Sequence, residues 1–389
     1  MSVTTPVKQS IPIARPYVGK EEEQAVIQSL RSGWLSQGPR VAEFEKQFAQ
    51  YVGARHAIAV SSCTTALHLA FIGAGIGPGQ EVLCPSLSFI ATANSIRYVG
   101  AEPVFVDIDP ATFNLDPNKI EAAITPRTKA ILAVHQIGLP AAIDEINEIA
   151  RRHNLLVIED AACAIGSVYK GKRVGMPHAW MACFSFHPRK ILTTGEGGMI
   201  TTNDDKVAER LRPLRQHAMT VSDVARHNAK SVVLESYDEV GYNFRMTDMQ
   251  AAIGLVQLSR VEGFIERRRA FAARYTKELA KLGWLIPPAE PEGLRHNFQS
   301  YMVRLTKDAP VSRDALMQRL LDHGIATRRG IMATHREAPY RAARWDRELP
   351  ATNAATDECI ILPLFHQMSE EEQAFVLDAI RAIGSSRSL

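Results

Sequence analysis

Short uninterrupted apolar runs recur along the first two thirds of the chain, separated by stretches of mixed polarity. The runs are AIAV (57–60), EVLCP (81–85), EPVFVDID (102–109), AILAVHQIG (130–138), LLVIEDAA (155–162), ACFSFHP (182–188) and GGMITT (197–202). Their length and β-branched content predict strands buried on both faces, because a half-exposed strand would alternate. Between them, residues 64–73, 90–100 and 143–154 carry the spacing of amphipathic helices. Strands joined by helices predict a mostly parallel sheet covered on both sides. Ligands bind such sheets at the carboxyl ends of the strands. That rule gathers residues 61–65, 85–89, 160–163 and 185–190 into one neighbourhood.

The flanks differ. Residues 1–17 read as an extended arm. GKEEEQAVIQSLRSG (19–33), acidic at its start and closed by glycine, predicts a helix, and VAEFEKQFAQYVG (41–53) a second. A long charged helix is expected over 259–283. Beyond it lie a strand at 300–306, a helix at 312–324 and a last helix at 369–384. We read an arm (1–17), a large domain (18–260) and a smaller C-terminal α/β domain (261–389).

Composition narrows the class. With 389 residues, 46% hydrophobic and 22% charged, the chain suits a two-lobed globular protein. A net charge of +3 gives no argument for nucleic acid or an anionic membrane. Five scattered cysteines without a CxxC pair fit reduced thiols rather than a disulfide framework or a zinc site. The first residues lack the apolar segment of a secretory signal. A cytoplasmic protein without a membrane span or a metal is expected.

Four features sit at the strand ends. VSSCTT (60–65) opens a helix with free N–H groups and hydroxyls, which suits a phosphate and equally suits an ordinary cap. VIED (157–160) ends in Asp160, a turn cap or a charge aimed into a cleft. FSFHPRKILTTGEGG places Ser185 and Lys190 after the next strand. A surface lysine is the ordinary reading; one held in a cleft can have its pKa lowered and act as a nucleophile. Phe89 follows Pro85 and can belong to a core or cover a flat ring. Cradle, carboxylate, lysine and aromatic plate together suit pyridoxal phosphate (PLP). A dinucleotide site suits the chain less, since no GxGxxG follows a strand.

EDAACAIGS, FSFHPRKILTTGEGG and GYNFRMTDMQAAIGLVQL closely resemble the sugar-nucleotide aminotransferases of the DegT/DnrJ/StrS type. SSCTTALHLA, PSLSFIATANSI and EPVFVDIDPATFNLD extend the resemblance over about residues 10–260, and ILPLF (361–365) renews it. The resemblance implies PLP fold type I, similar to aspartate aminotransferase, and a homodimer with active sites at the interface. It implies that Lys190 is the Schiff-base lysine and Asp160 the partner of the pyridinium nitrogen. Thr64, Thr65 and Ser185 would bind the phosphate and Phe89 would stack on the ring. Asn243 would reach the phosphate from the other subunit. Some relatives carry histidine in place of the lysine and act as dehydratases; Lys190 supports transamination. The implied reaction moves an amino group from L-glutamate, through the pyridoxamine form, to a keto sugar on a nucleotide. A keto cyclitol acceptor is the alternative, and a non-catalytic PLP-binding regulator a more distant one.

Three departures stand out. Cys163 replaces a glutamine that usually contacts the ring hydroxyl, and a thiol is a poorer hydrogen-bond partner. Cys63 replaces a glycine in the phosphate turn. GIATRRGIMATHREAPY (324–340) places Arg328 and Arg329 where they can meet a diphosphate or remain solvated. His187 joins them as a substrate-contact candidate.

Overall fold

The computed structural model describes residues 10–176, 178–221, 226–227, 229–342 and 348–385. Two helices, α1 (Lys20–Ser32) and α2 (Pro39–Val52), lead in. Then β1 (His56–Val60), α3 (Cys63–Gly73), β2 (Glu81–Pro85), α4 (Ala91–Tyr98), β3 (Glu102–Val106), β4 (Thr128–Val134), α5 (Ile143–Arg152) and β5 (Leu156–Asp160) alternate. The short strands β6 (Val168–Tyr169) and β7 (Lys172–Arg173) precede β8 (Met181–Ser185), β9 (Gly198–Thr202) and α6 (Asp205–Leu214). The chain continues through α7 (Asp248–Leu279), β10 (Leu285–Ile286), β11 (Leu294–Arg295), β12 (Tyr301–Leu305), α8 (Arg313–Asp322), β13 (Arg328–Arg329), α9 (Pro350–Glu358), β14 (Cys359–Leu362) and α10 (Glu370–Ser385).

The large sheet has seven strands in the order β1-β9-β8-β5-β4-β2-β3. Its pairs are parallel except those made by β9, which runs against both β1 and β8. The unbroken apolar runs follow from burial on both faces. In β1, Ile58 and Val60 face a core shared with α3 and α6, while Ala57 and Ala59 face one shared with α2 and α7. The second sheet, β10-β12-β14-β13, is antiparallel throughout. With α8, α10 and the end of α7 it encloses a separate core. Ile11 of the arm is buried in that core and bridges to Ile325.

The long helix starts earlier than the charge pattern predicts. Thr247 and Gln250 close a capping box, so the apolar stretch from Asp248 and the charged stretch after Ser259 form one helix of 32 residues. Val261 and Ile265 pack on the large sheet's core; Phe271 and Tyr275 pack in the C-terminal core. The change of partner falls between Ile265 and Phe271, and we propose to draw the domain division there, inside the helix. Among the described residues no helix is long and apolar enough to cross a membrane.

Two buried histidines are expected to make the fold acid-sensitive. His296 is 1% exposed and His366 5%. Burial, reinforced by nearby arginines, lowers both to about 3. In the unfolded chain they titrate near 6.5. Between these values the unfolded state binds protons that the folded state refuses, so stability falls as pH drops. From pH 6.5 to 5 each histidine costs about 2 kcal/mol. His296 Nδ1 accepts the Phe298 N–H at 2.9 Å, a bond that an asparagine oxygen can replace. His296→Asn is therefore expected to flatten the fall in melting temperature between pH 7 and 5. An unchanged slope would remove His296 from the explanation.

Candidate active site

Four strand ends meet above the middle of the large sheet. β5 ends in Asp160, which is 6% exposed. Thr92, near the start of α4, donates its hydroxyl to Asp160 Oδ2 at 2.8 Å, and the Ala162 N–H donates to Oδ1 at 3.2 Å. Ser88 lies 2.7 Å behind Thr92. This chain of donors fixes where the carboxylate points. Thr92 is absent from the sequence-derived site, since a threonine in the first turn of a helix reads as local capping.

The turn after β8 carries Lys190. Its backbone N–H donates to the His187 carbonyl at 2.8 Å, and the Arg189 N–H donates to His187 Nδ1 at 3.1 Å. His187 thus spends one ring nitrogen on holding the turn. Burial lowers its pKa, opposed by Glu196 and reinforced by Arg189 and Lys190. Lys190 is half-buried, and its Nζ donates to Cys163 Sγ at 3.0 Å. Burial disfavours its charge, yet the sulfurs of Cys163 and Cys63 and the Asp160 carboxylate outweigh burial, and the pKa is raised. The depression that a cleft alone would cause is thus reversed by the groups sharing the cleft. Cys163, expected to be a poor partner for a cofactor, is a direct partner of the lysine.

Ser62 caps α3, its hydroxyl accepting the Thr65 N–H at 3.1 Å while Thr65 Oγ1 accepts the Ser62 N–H at 3.0 Å. Thr65 is thereby committed to the cap. Thr64 is half-buried and makes no side-chain hydrogen bond among the described residues. The N–H groups of Cys63 and Thr64 open the helix with no carbonyl a turn behind them. Cys63 is an ordinary first helical residue with negative φ, so losing glycine there costs the backbone nothing. Its thiol is buried and its pKa raised well above normal, chiefly by burial and then by Asp160. The glycine that matters faces it from β9: a Cβ on Gly198 would lie 2.4 Å from the Ser62 carbonyl carbon. The GEGG run lets β9 pass directly beneath this turn. Ser185 pairs with Gly198 across the two strands, and its hydroxyl accepts the His187 N–H at 3.4 Å.

Phe89 stands 63% exposed in the loop between β2 and α4. The Phe244 carbonyl accepts the Ser61 N–H at 2.8 Å, so the GYNF segment runs beside the same turn, with Asn243 exposed. Arg328 and Arg329 form β13 at the edge of the small sheet, both exposed. Arg329 reaches Glu337 at 3.4 Å. The donor set fits pyridoxal phosphate: open N–H groups and hydroxyls at a helix start, a fixed carboxylate, an amine and an exposed aromatic ring.

Comparison with known proteins shows the family of the chain. Residues 16–381 match the model of the DegT/DnrJ/EryC1/StrS aminotransferase family. The chain is 41% identical over 377 residues to spore coat polysaccharide biosynthesis protein SpsC of Bacillus subtilis, covering 96% of this chain and 97% of SpsC. It is 44% identical over 373 residues to GDP-perosamine synthase of Caulobacter vibrioides, covering 95% and 97%. A putative sugar aminotransferase, Spr1654 of Streptococcus pneumoniae in its PMP form, superposes with a TM-score of 0.91 at 28% identity, over 97% of this chain and 100% of that one.

Proposed function

Since this chain belongs to the DegT/DnrJ/EryC1/StrS aminotransferase family and carries Lys190 where the dehydratase relatives carry histidine, we propose that it moves an amino group from L-glutamate to a keto sugar carried on a nucleotide. Asp160 and Lys190, at adjoining strand ends with Cys163 between them, carry this reading. The name of the relative GDP-perosamine synthase makes guanosine diphosphate the first carrier to test.

In this reading, Thr64, Ser185 and the N–H groups opening α3 hold the phosphate, with Thr65 fixing the turn. Phe89 covers one face of the ring, and Asp160 faces the ring nitrogen. Bound there, PLP supplies an aldehyde for the amine and an electron-withdrawing ring that stabilises negative charge on the substrate carbon. Lys190 takes the proton from the amino-acid α-carbon and later returns one, as general base and then acid. The groups that favour its protonated form support the acid half. Asn243, exposed beside the phosphate turn, would serve the site of a second copy in a homodimer.

The test is conversion of L-glutamate to 2-oxoglutarate by the PLP-loaded protein, first without an acceptor and then with one. One equivalent per site is expected in a single turnover, followed by turnover on a GDP-linked keto sugar. Faster turnover on a keto cyclitol would replace the acceptor; no 2-oxoglutarate would remove the donor.

A further inference from the structure

Several arginines near the surface meet carboxylates: Arg152 reaches Glu121, Arg336 reaches Asp357 and Arg381 reaches Glu278. Arg189 and Arg328 stand apart by their place in the fold. Both are exposed, and neither guanidinium has a carboxylate partner among the described residues. Arg189 immediately precedes Lys190. Its carbonyl accepts the Gln299 side-chain N–H at 3.0 Å, which ties the lysine turn to the start of β12.

The register of the small sheet locates Arg328. Met302 on β12 pairs with Ile361 on β14, which pairs with Arg328 on β13. Residues paired in this way face the same side. Met302 is buried against Leu87 and Ile137, just beyond the carboxyl ends of β2 and β4. That side of the small sheet therefore looks onto the ligand edge of the large one. Strands lie about 4.8 Å apart, so Arg328 sits about 10 Å from the Met302 row that Gln299 connects to Arg189. Arg329 pairs with Ile360, which is buried in the C-terminal core, and so belongs to the opposite side. Burial, then Arg189, then Arg329 lower the pKa of Arg328, which places the Arg189 charge within reach of it.

We propose that Arg189 and Arg328 form an oxyanion clamp beside Lys190 for the anionic group of a substrate, with Arg329 outside it. The inference rests on the transaminase reading above. Planar guanidinium groups suit carboxylate and phosphate oxygens alike. The anion is either the carboxylate of the amino donor or the diphosphate of the sugar nucleotide, and the two probes below separate them.

The test uses the PLP-loaded protein, with calorimetric titration of GDP and spectroscopic titration of L-glutamate. Arg328→Ala and Arg189→Ala are each expected to raise the dissociation constant of one probe by roughly tenfold or more, the loss expected for a charged hydrogen bond. The probe affected identifies the anion. Arg328→Lys should retain part of the affinity, and Arg329→Ala should change either constant by less than about threefold. Arg328→Gln repeats the measurement should the alanine variant not fold. Values within about threefold of wild type for both probes in both clamp variants would overturn the clamp alone. So would an equal loss in Arg329→Ala. A wild-type protein that binds neither probe would overturn the transaminase reading and the clamp with it.

Discussion

Lys190→Ala is expected to lower turnover by at least about ten-thousand-fold, the upper range for losing a positioned acid–base group, with the covalent anchor lost besides. The fold should survive. Lys190 is half-buried at a turn whose bond, from its own N–H to the His187 carbonyl, is made by the backbone. Asp160 keeps both of its donors, Thr92 and the Ala162 N–H. Single-turnover formation of 2-oxoglutarate measures the loss, and an unchanged melting temperature shows that the loss is chemical. A variant turning over at the wild-type rate would exclude Lys190 as the reacting amine.

Asp160→Asn should lower the rate by about 100- to 1,000-fold, the size of effect seen when one electrostatic group aimed at developing charge is removed. The substitution nearly conserves shape. The side-chain oxygen can keep the Ala162 N–H, and the new amide can donate to Thr92 Oγ1, whose hydroxyl then turns toward Ser88. Packing is thus preserved while the charge is lost. Asp160→Ala would instead leave the Thr92 hydroxyl and the Ala162 N–H unsatisfied at a cost of about 1–3 kcal/mol each. The asparagine variant is therefore the cleaner test. A wild-type rate in it would mean that the carboxylate serves the fold and not the chemistry.

The large sheet was legible because its strands are buried on both faces and so appear as apolar runs bounded by polar turns. Asp160 and Lys190 were legible for the same reason: each follows such a run directly. The small sheet was harder to read. β13 has two residues and β14 four, too few to display a period. The start of α7 was placed late because its apolar first half and charged second half look like separate elements, although they differ only in which core they touch. Thr92 escaped notice because its role depends on a partner 68 positions away. Arg189 escaped because its unpaired state is a property of its surroundings, not of the sequence. Thiol chemistry alone makes Cys163 a weak hydrogen-bond partner, whereas its contact with Lys190 depends on the turn that brings the two together.

The most direct measurement is borohydride reduction of the PLP-loaded protein, followed by digestion and mass spectrometry of the peptides. A single pyridoxyl adduct on Lys190, absent from Lys190→Ala, is the result expected of an amine placed beside Asp160 to bond an aldehyde. An adduct on another lysine, or none from protein saturated with cofactor, would contradict it.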